Sequence, residues 1–130
     1  MLPAKNLLKL VTQANLEGYY YKPRVDKNLL RDCAEGIICL SGCMASELGR
    51  TLWGRDMEAA EKVIREYQDI FGKENYFIEI QCHNAIEEDK RVRESLVKLA
   101  KKHGIPVVAT HSPNSEAWTP VKIGRASCRE

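Results

Sequence analysis

Three short apolar runs, at residues 37–40, 76–81 and 106–110, are set apart by longer charged stretches whose apolar residues recur at helical spacing. That alternation restricts the fold more than any other feature, because strands that alternate with helices pair in parallel, each helix carrying the chain back across the sheet. The first run, Ile-Ile-Cys-Leu, is unbroken and lies between Gly36 and the turn residues Ser41 and Gly42, a pattern that predicts a strand buried on both faces. In sheets of this kind reactive groups collect beyond the carboxyl ends of the strands. The residues predicted to form that rim are Ser41, Gly42 and Cys43, then Cys82 and His83, then Thr110 and His111.

The helical segments are read from their periods and caps. Residues 6–16 place Leu7, Val11 and Ala14 on one stripe with Leu8 beside it, which predicts a helix that packs through that stripe. Asp26 is suited to cap a short helix over residues 27–33, and residues 44–53 form another, ended by Gly54. Asp56 opens the clearest helix. Met57, Ala60, Ile64, Tyr67 and Phe71 give it a continuous apolar face, with Val63 and Ile70 alongside, and Gly72 supplies its stop. On its other side Glu58 with Lys62 and Glu61 with Arg65 are favourable pairs one turn apart, expected to be solvated. The last helix, residues 86–103, turns Val92, Leu96, Leu99 and Ala100 inward; its acidic first turn and basic last turn complement the helix dipole.

The predicted class is therefore α/β, about three strand-then-helix units with parallel strands. Three strands are too few to close a barrel, and an open three-strand sheet leaves long edges, so the chain is expected to be an excised part of something larger. Its 20 basic and 18 acidic residues nearly balance, which gives no sign of a strongly cationic nucleic-acid binder. Five cysteines without paired zinc-type spacing fit a reducing compartment. With no apolar run near the roughly 20 residues that span a bilayer, a cytoplasmic protein with no membrane partner is expected.

Residues 19–24, Tyr-Tyr-Tyr-Lys-Pro-Arg, interleave aromatic and basic side chains, and Pro23 excludes them from a helix. Tyr20, Lys22 and Arg24 are the candidates for stacking on bases and pairing with phosphates; the plainer alternative is packing of the rings on the neighbouring helix. No phosphate-cradling glycine loop, nucleophile elbow or paired acidic residues of a polymerase palm are present, so no residue is assigned a catalytic role. Residues 122–130 look like a translated sequencing adapter and are set aside from the native sequence at 1–121.

Asn-Leu-Leu-Lys-Leu-Val-Thr at 6–12, Glu-Gly-Tyr-Tyr-Tyr-Lys-Pro-Arg-Val-Asp at 17–26, the Leu-Ser-Gly-Cys ending at Cys43, Ile70 to Gly72, Tyr76 to His83 and Gly104 to Thr110 follow one another in an order that resembles the PHP (polymerase and histidinol phosphatase) domain. The form it is most similar to is the one built into bacterial replicative DNA polymerases, and the likeness runs to about residue 110. The resemblance implies a PHP-type distorted barrel whose carboxyl-terminal rim holds divalent metal, zinc, manganese or magnesium, with magnesium also in a separate polymerase palm. It implies that the chain is the C-terminal part of such a domain, with the early His-x-His ligands lying before residue 1. It makes Cys43 a thiolate ligand, the plainer alternative being a small buried residue. It also implies a late Asp-x-His pair where this chain has Ser112 and Asn114.

In function, the resemblance implies a module of a DNA-extending enzyme, with DNA, a proofreading exonuclease subunit and a sliding clamp as partners. Its own role would be structural and partner-binding, with 3′ to 5′ exonuclease activity available to an intact metal site. A stand-alone phosphoesterase of the histidinol-phosphatase kind is the alternative.

Overall fold

The computed structural model describes residues 2–42, 44–81 and 87–110. Local chemistry sets most of its elements. Helix α1 spans Leu2–Leu16 and α2 spans Lys27–Cys33, the latter opened by Asp26, whose Oδ1 accepts from the Leu29 amide at 2.8 Å. Strand β1 is Cys39–Leu40. Helix α3, Glu47–Trp53, begins three residues later than its sequence predicts, because Ser46 caps it by accepting from the Gly49 amide at 3.0 Å. Helix α4, Met57–Phe71, is capped by Asp56 as expected and stopped at Gly72, whose φ of 90° suits glycine. A single 3₁₀ turn, Lys73–Asn75, leads into β2, Tyr76–Gln81; α5 is Glu87–His103 and β3 is Val107–Thr110.

The three strands form one parallel sheet in the order β1-β2-β3, with Cys39 opposite Tyr76, and Ile78 to Gln81 opposite Val107 to Thr110. Strand alternation sorts the side chains between two faces. Tyr76, Ile78 and Ile80 turn toward a core built with Leu48 and Leu52 of α3, Ala60, Val63 and Ile64 of α4, and Val92, Leu96, Leu99 and Ala100 of α5. The opposite face carries Leu40, Phe77, Glu79, Gln81, Val108 and Thr110, none of them fully buried. Among the described residues, helices cover the sheet on one side only.

Three expectations are corrected. The run at 37–40 is not buried on both faces: only Cys39 and Leu40 pair as a strand, β1 is an edge, Leu40 is 40% exposed and Ile38 64%. Helix α1 does pack, against α2, but through Leu10 and Ala14, whereas Leu7, Leu8 and Val11 are each more than half exposed. Its seat is fixed instead by Asn6 Nδ2 donating to the Glu35 carbonyl at 3.0 Å and by Pro3, which rests where a side chain on Gly36 would lie. The cross-helix charges also differ from a solvated face. Glu61 pairs with Arg65 at 3.3 Å as predicted, but it also bonds Lys102 and approaches His103 at 3.7 Å, tying α4 to α5.

Candidate functional site

The strand ends meet where the sequence places them. The Ser41 amide donates to the Phe77 carbonyl at 2.9 Å, and the Ser41 hydroxyl accepts from the Glu79 amide at 2.9 Å, which locks the end of β1 to the middle of β2. On the open face the Glu79 carboxylate accepts at one oxygen from Gln81 Nε2 at 3.1 Å and from the Thr110 hydroxyl. Of the predicted rim residues, Ser41 and Thr110 are thus joined through Glu79. Sequence reasoning missed Glu79, although an acid between Ile78 and Ile80 is the signal that this strand has one face not meant for the core. Gly42 has φ 76°, and a side chain there would come within 2.9 Å of Ser46 Cβ, so the loop leaving β1 has no room for a larger residue.

Cys43, Cys82, His83, His111, Ser112 and Asn114 lie outside the described residues. Among the described residues no three histidine, cysteine, aspartate or glutamate side chains converge to hold a metal ion. Among the described residues Glu79 is the one acid drawn into the strand-end cluster, and one of its oxygens is occupied by neutral donors, which is not the donor set of a divalent-cation site. Cys39, half-buried on the helix side of β1, has its thiol pushed up to about 11 by burial, so at neutral pH it is a protonated packing residue with no thiolate to offer.

Beneath the rim a small cavity of about 80 Å³ is lined by Leu40, Ser41, Ser46, Glu47, Tyr67 and Tyr76 among others. Its carboxylate Glu47 is already engaged. Lys27 Nζ donates to Glu47 at 2.8 Å and Glu66 at 2.7 Å, and the Tyr67 hydroxyl donates to Glu47 at 3.2 Å. Burial pulls the Lys27 ammonium down, but the bonds to its two carboxylates outweigh this and leave it raised. The Lys27 hydrogen bond holds Glu66 below its ordinary value, and burial pushes Tyr67 up. The cluster binds α2 to α3 and α4, one cation held between two carboxylates.

The Lys27 cluster has a pH signature. A carboxylate with a lowered folded pKa stabilises the fold above its ordinary value and loses that contribution as the pH falls through the lowered one. The urea midpoint is therefore expected to decline below pH 4.5, and Glu66→Gln to flatten the part of that limb that Glu66 carries, leaving the part due to Glu61, which Lys102 holds low in the same direction. An acid limb identical in the variant would show that the pairing adds nothing.

The tyrosine turn after α1 stands apart from the rim cluster. Tyr20 and Lys22 form a one-residue antiparallel bridge, the Tyr20 amide donating to the Lys22 carbonyl at 3.1 Å across Tyr21, which sits in the left-handed region at φ 59°. The Tyr21 ring meets Tyr20 edge-on at 4.7 Å, and the Arg24 guanidinium lies 5.3 Å over the Tyr20 ring. Tyr19, Tyr20 and Tyr21 are 62%, 64% and 84% exposed, so the rings do not pack on the neighbouring helix. The structure brings Tyr20 and Arg24 together, with Lys22 across the bridge.

The PHP domain family model matches residues 2–83. The chain is 47% identical over 107 residues to the DNA polymerase III subunit alpha of Treponema pallidum, a match covering 82% of this chain and 9% of that protein. The proteins of the same name from Saccharopolyspora erythraea and Thermus aquaticus are each 41% identical over 107 residues, with the same coverage of 82% and 9%. The chain spans about a tenth of the length of these curated relatives. Among the described residues, no helix is long and apolar enough to cross a membrane.

Proposed function

Because the chain belongs to the PHP domain family, we propose that it is the C-terminal part of the PHP domain of a DNA polymerase III alpha subunit, acting there as a bracing and partner-binding module. The relatives favour this over a stand-alone phosphoesterase, since each of those reported carries the polymerase name. In this reading the intact protein extends DNA in the cytoplasm, with a proofreading exonuclease subunit and a sliding clamp as its other partners.

The observation that carries the bracing role is the one-sided sheet. Its helix face packs on a continuous core at β2, while the other face, with Leu40 and Phe77 beside Glu79 and Thr110, carries no helix among the described residues. A divalent metal, zinc, manganese or magnesium, belongs with the family, and Cys43 is the residue of this chain proposed to reach it. The described residues do not make a site by themselves, so no chemical step is derived through a metal.

Zinc and manganese measured on the purified chain after dialysis are expected to be substoichiometric, the little that is bound falling further in Cys43→Ser, with no nucleotide released from a 3′-labelled primer. Stoichiometric metal that disappears in Cys43→Ser, accompanied by primer degradation, would replace the bracing role with a metal-dependent exonuclease.

A further inference from the structure

We propose that the tyrosine turn, residues 19–24, is a contact surface for single-stranded nucleic acid, independent of the polymerase reading. Three consecutive aromatic rings are held in water, each more than 60% exposed, although burial is what such rings ordinarily gain from folding. Their arrangement is built rather than loose. Tyr21 occupies a left-handed conformation that is costly to any residue but glycine, and such outliers persist only where surroundings enforce them.

The surroundings here are the Tyr20–Lys22 bridge and the foot of the turn, where the Arg24 carbonyl oxygen lies 1.9 Å from the place a Gly18 side chain would take. The edge-to-face contact of Tyr21 on Tyr20 and the guanidinium over Tyr20 then fix two rings relative to one cation. Residues 19–25 carry no acid. Of the flanking acids, Glu17 precedes the turn and the Asp26 carboxylate accepts from the Leu29 amide.

That combination selects the ligand. A ring fixed beside a cation matches a base and its adjoining phosphate, and it needs bases whose faces are free, which single strands offer and a duplex does not. Protein interfaces also gather tyrosine, but they are depleted in lysine at their centres, whereas Lys22 lies between Tyr21 and Arg24, exposed.

The test is fluorescence anisotropy of the whole chain with a labelled oligothymidylate of about 12 nucleotides, within the span of single-strand binding sites. Tyr20→Ala and Tyr21→Gly, the latter keeping the left-handed backbone while removing the ring, are each expected to weaken binding by roughly 5- to 150-fold, the range of base–aromatic stacking. Lys22→Ala is expected to reduce the slope of log affinity against log salt by about 0.7, one single-strand phosphate. Because all three side chains are exposed, the circular dichroism spectrum should not change. Failure to bind the oligonucleotide, or equal affinity in all variants, would overturn the proposal. So would a protein partner that Tyr21→Gly releases while no oligonucleotide binds, since the turn would then belong to a protein interface.

Discussion

Ile78→Ala is expected to destabilise the chain by about 2–5 kcal/mol, the cost of emptying a filled core position. Ile78 has no exposed surface, and it stands at the middle of β2, the central strand, with residues of α3, α4 and α5 around it. Tyr67 and Tyr76 are stacked 5.9 Å apart, and Tyr67 is further held by its bond to Glu47, so the cavity would stay open. The comparison is Ile38→Ala, equal in chemistry but 64% exposed, expected to fall within about 0.5 kcal/mol of the parent. Urea unfolding of both, with the slope against denaturant checked for constancy, measures the difference. Equal losses would mean that the sheet is covered on both faces and that the one-sided core is wrong.

That contrast also explains what could be read in the sequence. The helix of greatest amphipathic regularity, α4, lies where Asp56 and Gly72 place it, and Tyr76–Gln81 is a strand from end to end. The inward set of α5 holds as well, with Val92, Leu96, Leu99 and Ala100 all buried. These are local signals, a cap or a period, and they need no knowledge of neighbours.

The failures share the opposite cause. An apolar run such as residues 37–40 declares that both faces are fit for burial, but whether they are buried depends on what else is present, and β1 is an edge. In α1 the stripe of Leu7 and Val11 has the right spacing, yet contacts from Glu35 and Gly36 on the far side of α2 decide which face turns inward. The candidate site was legible in part. Ser41 and Thr110 are brought together as strand ends should be, while Glu79, which joins them, is visible only once the register of β2 and β3 is known. The turn at 19–24 was legible as to composition, and its left-handed Tyr21 was not.

Gly18→Ala is expected to cost about 1–3 kcal/mol, as overpacking does, and to release the tyrosine turn from the end of α1. The added methyl would lie 1.9 Å from the Arg24 carbonyl oxygen, 3.0 Å from its carbon and 3.3 Å from the Ala14 carbonyl oxygen. All three are backbone atoms, so no side-chain rotation can make room, and either the last turn of α1 or the segment carrying Arg24 must move. The amide of Gly18 donates to the Gln13 carbonyl at 3.1 Å, which holds the helix end in place and directs the displacement into the turn. Since the Tyr20–Lys22 bridge lies within the displaced segment, the Arg24–Tyr20 contact should loosen, read as a shift of the Tyr20 ring resonances.

Gly54→Ala supplies the opposite sign. Gly54 ends α3 at φ −70°, and a side chain there meets nothing closer than 3.6 Å, so alanine is accommodated and removes freedom from the unfolded chain. It should stabilise by about 0.4–1 kcal/mol. A urea midpoint that rises for Gly18→Ala as it does for Gly54→Ala would show that the close approach of Gly18 to Arg24 is not what holds the turn.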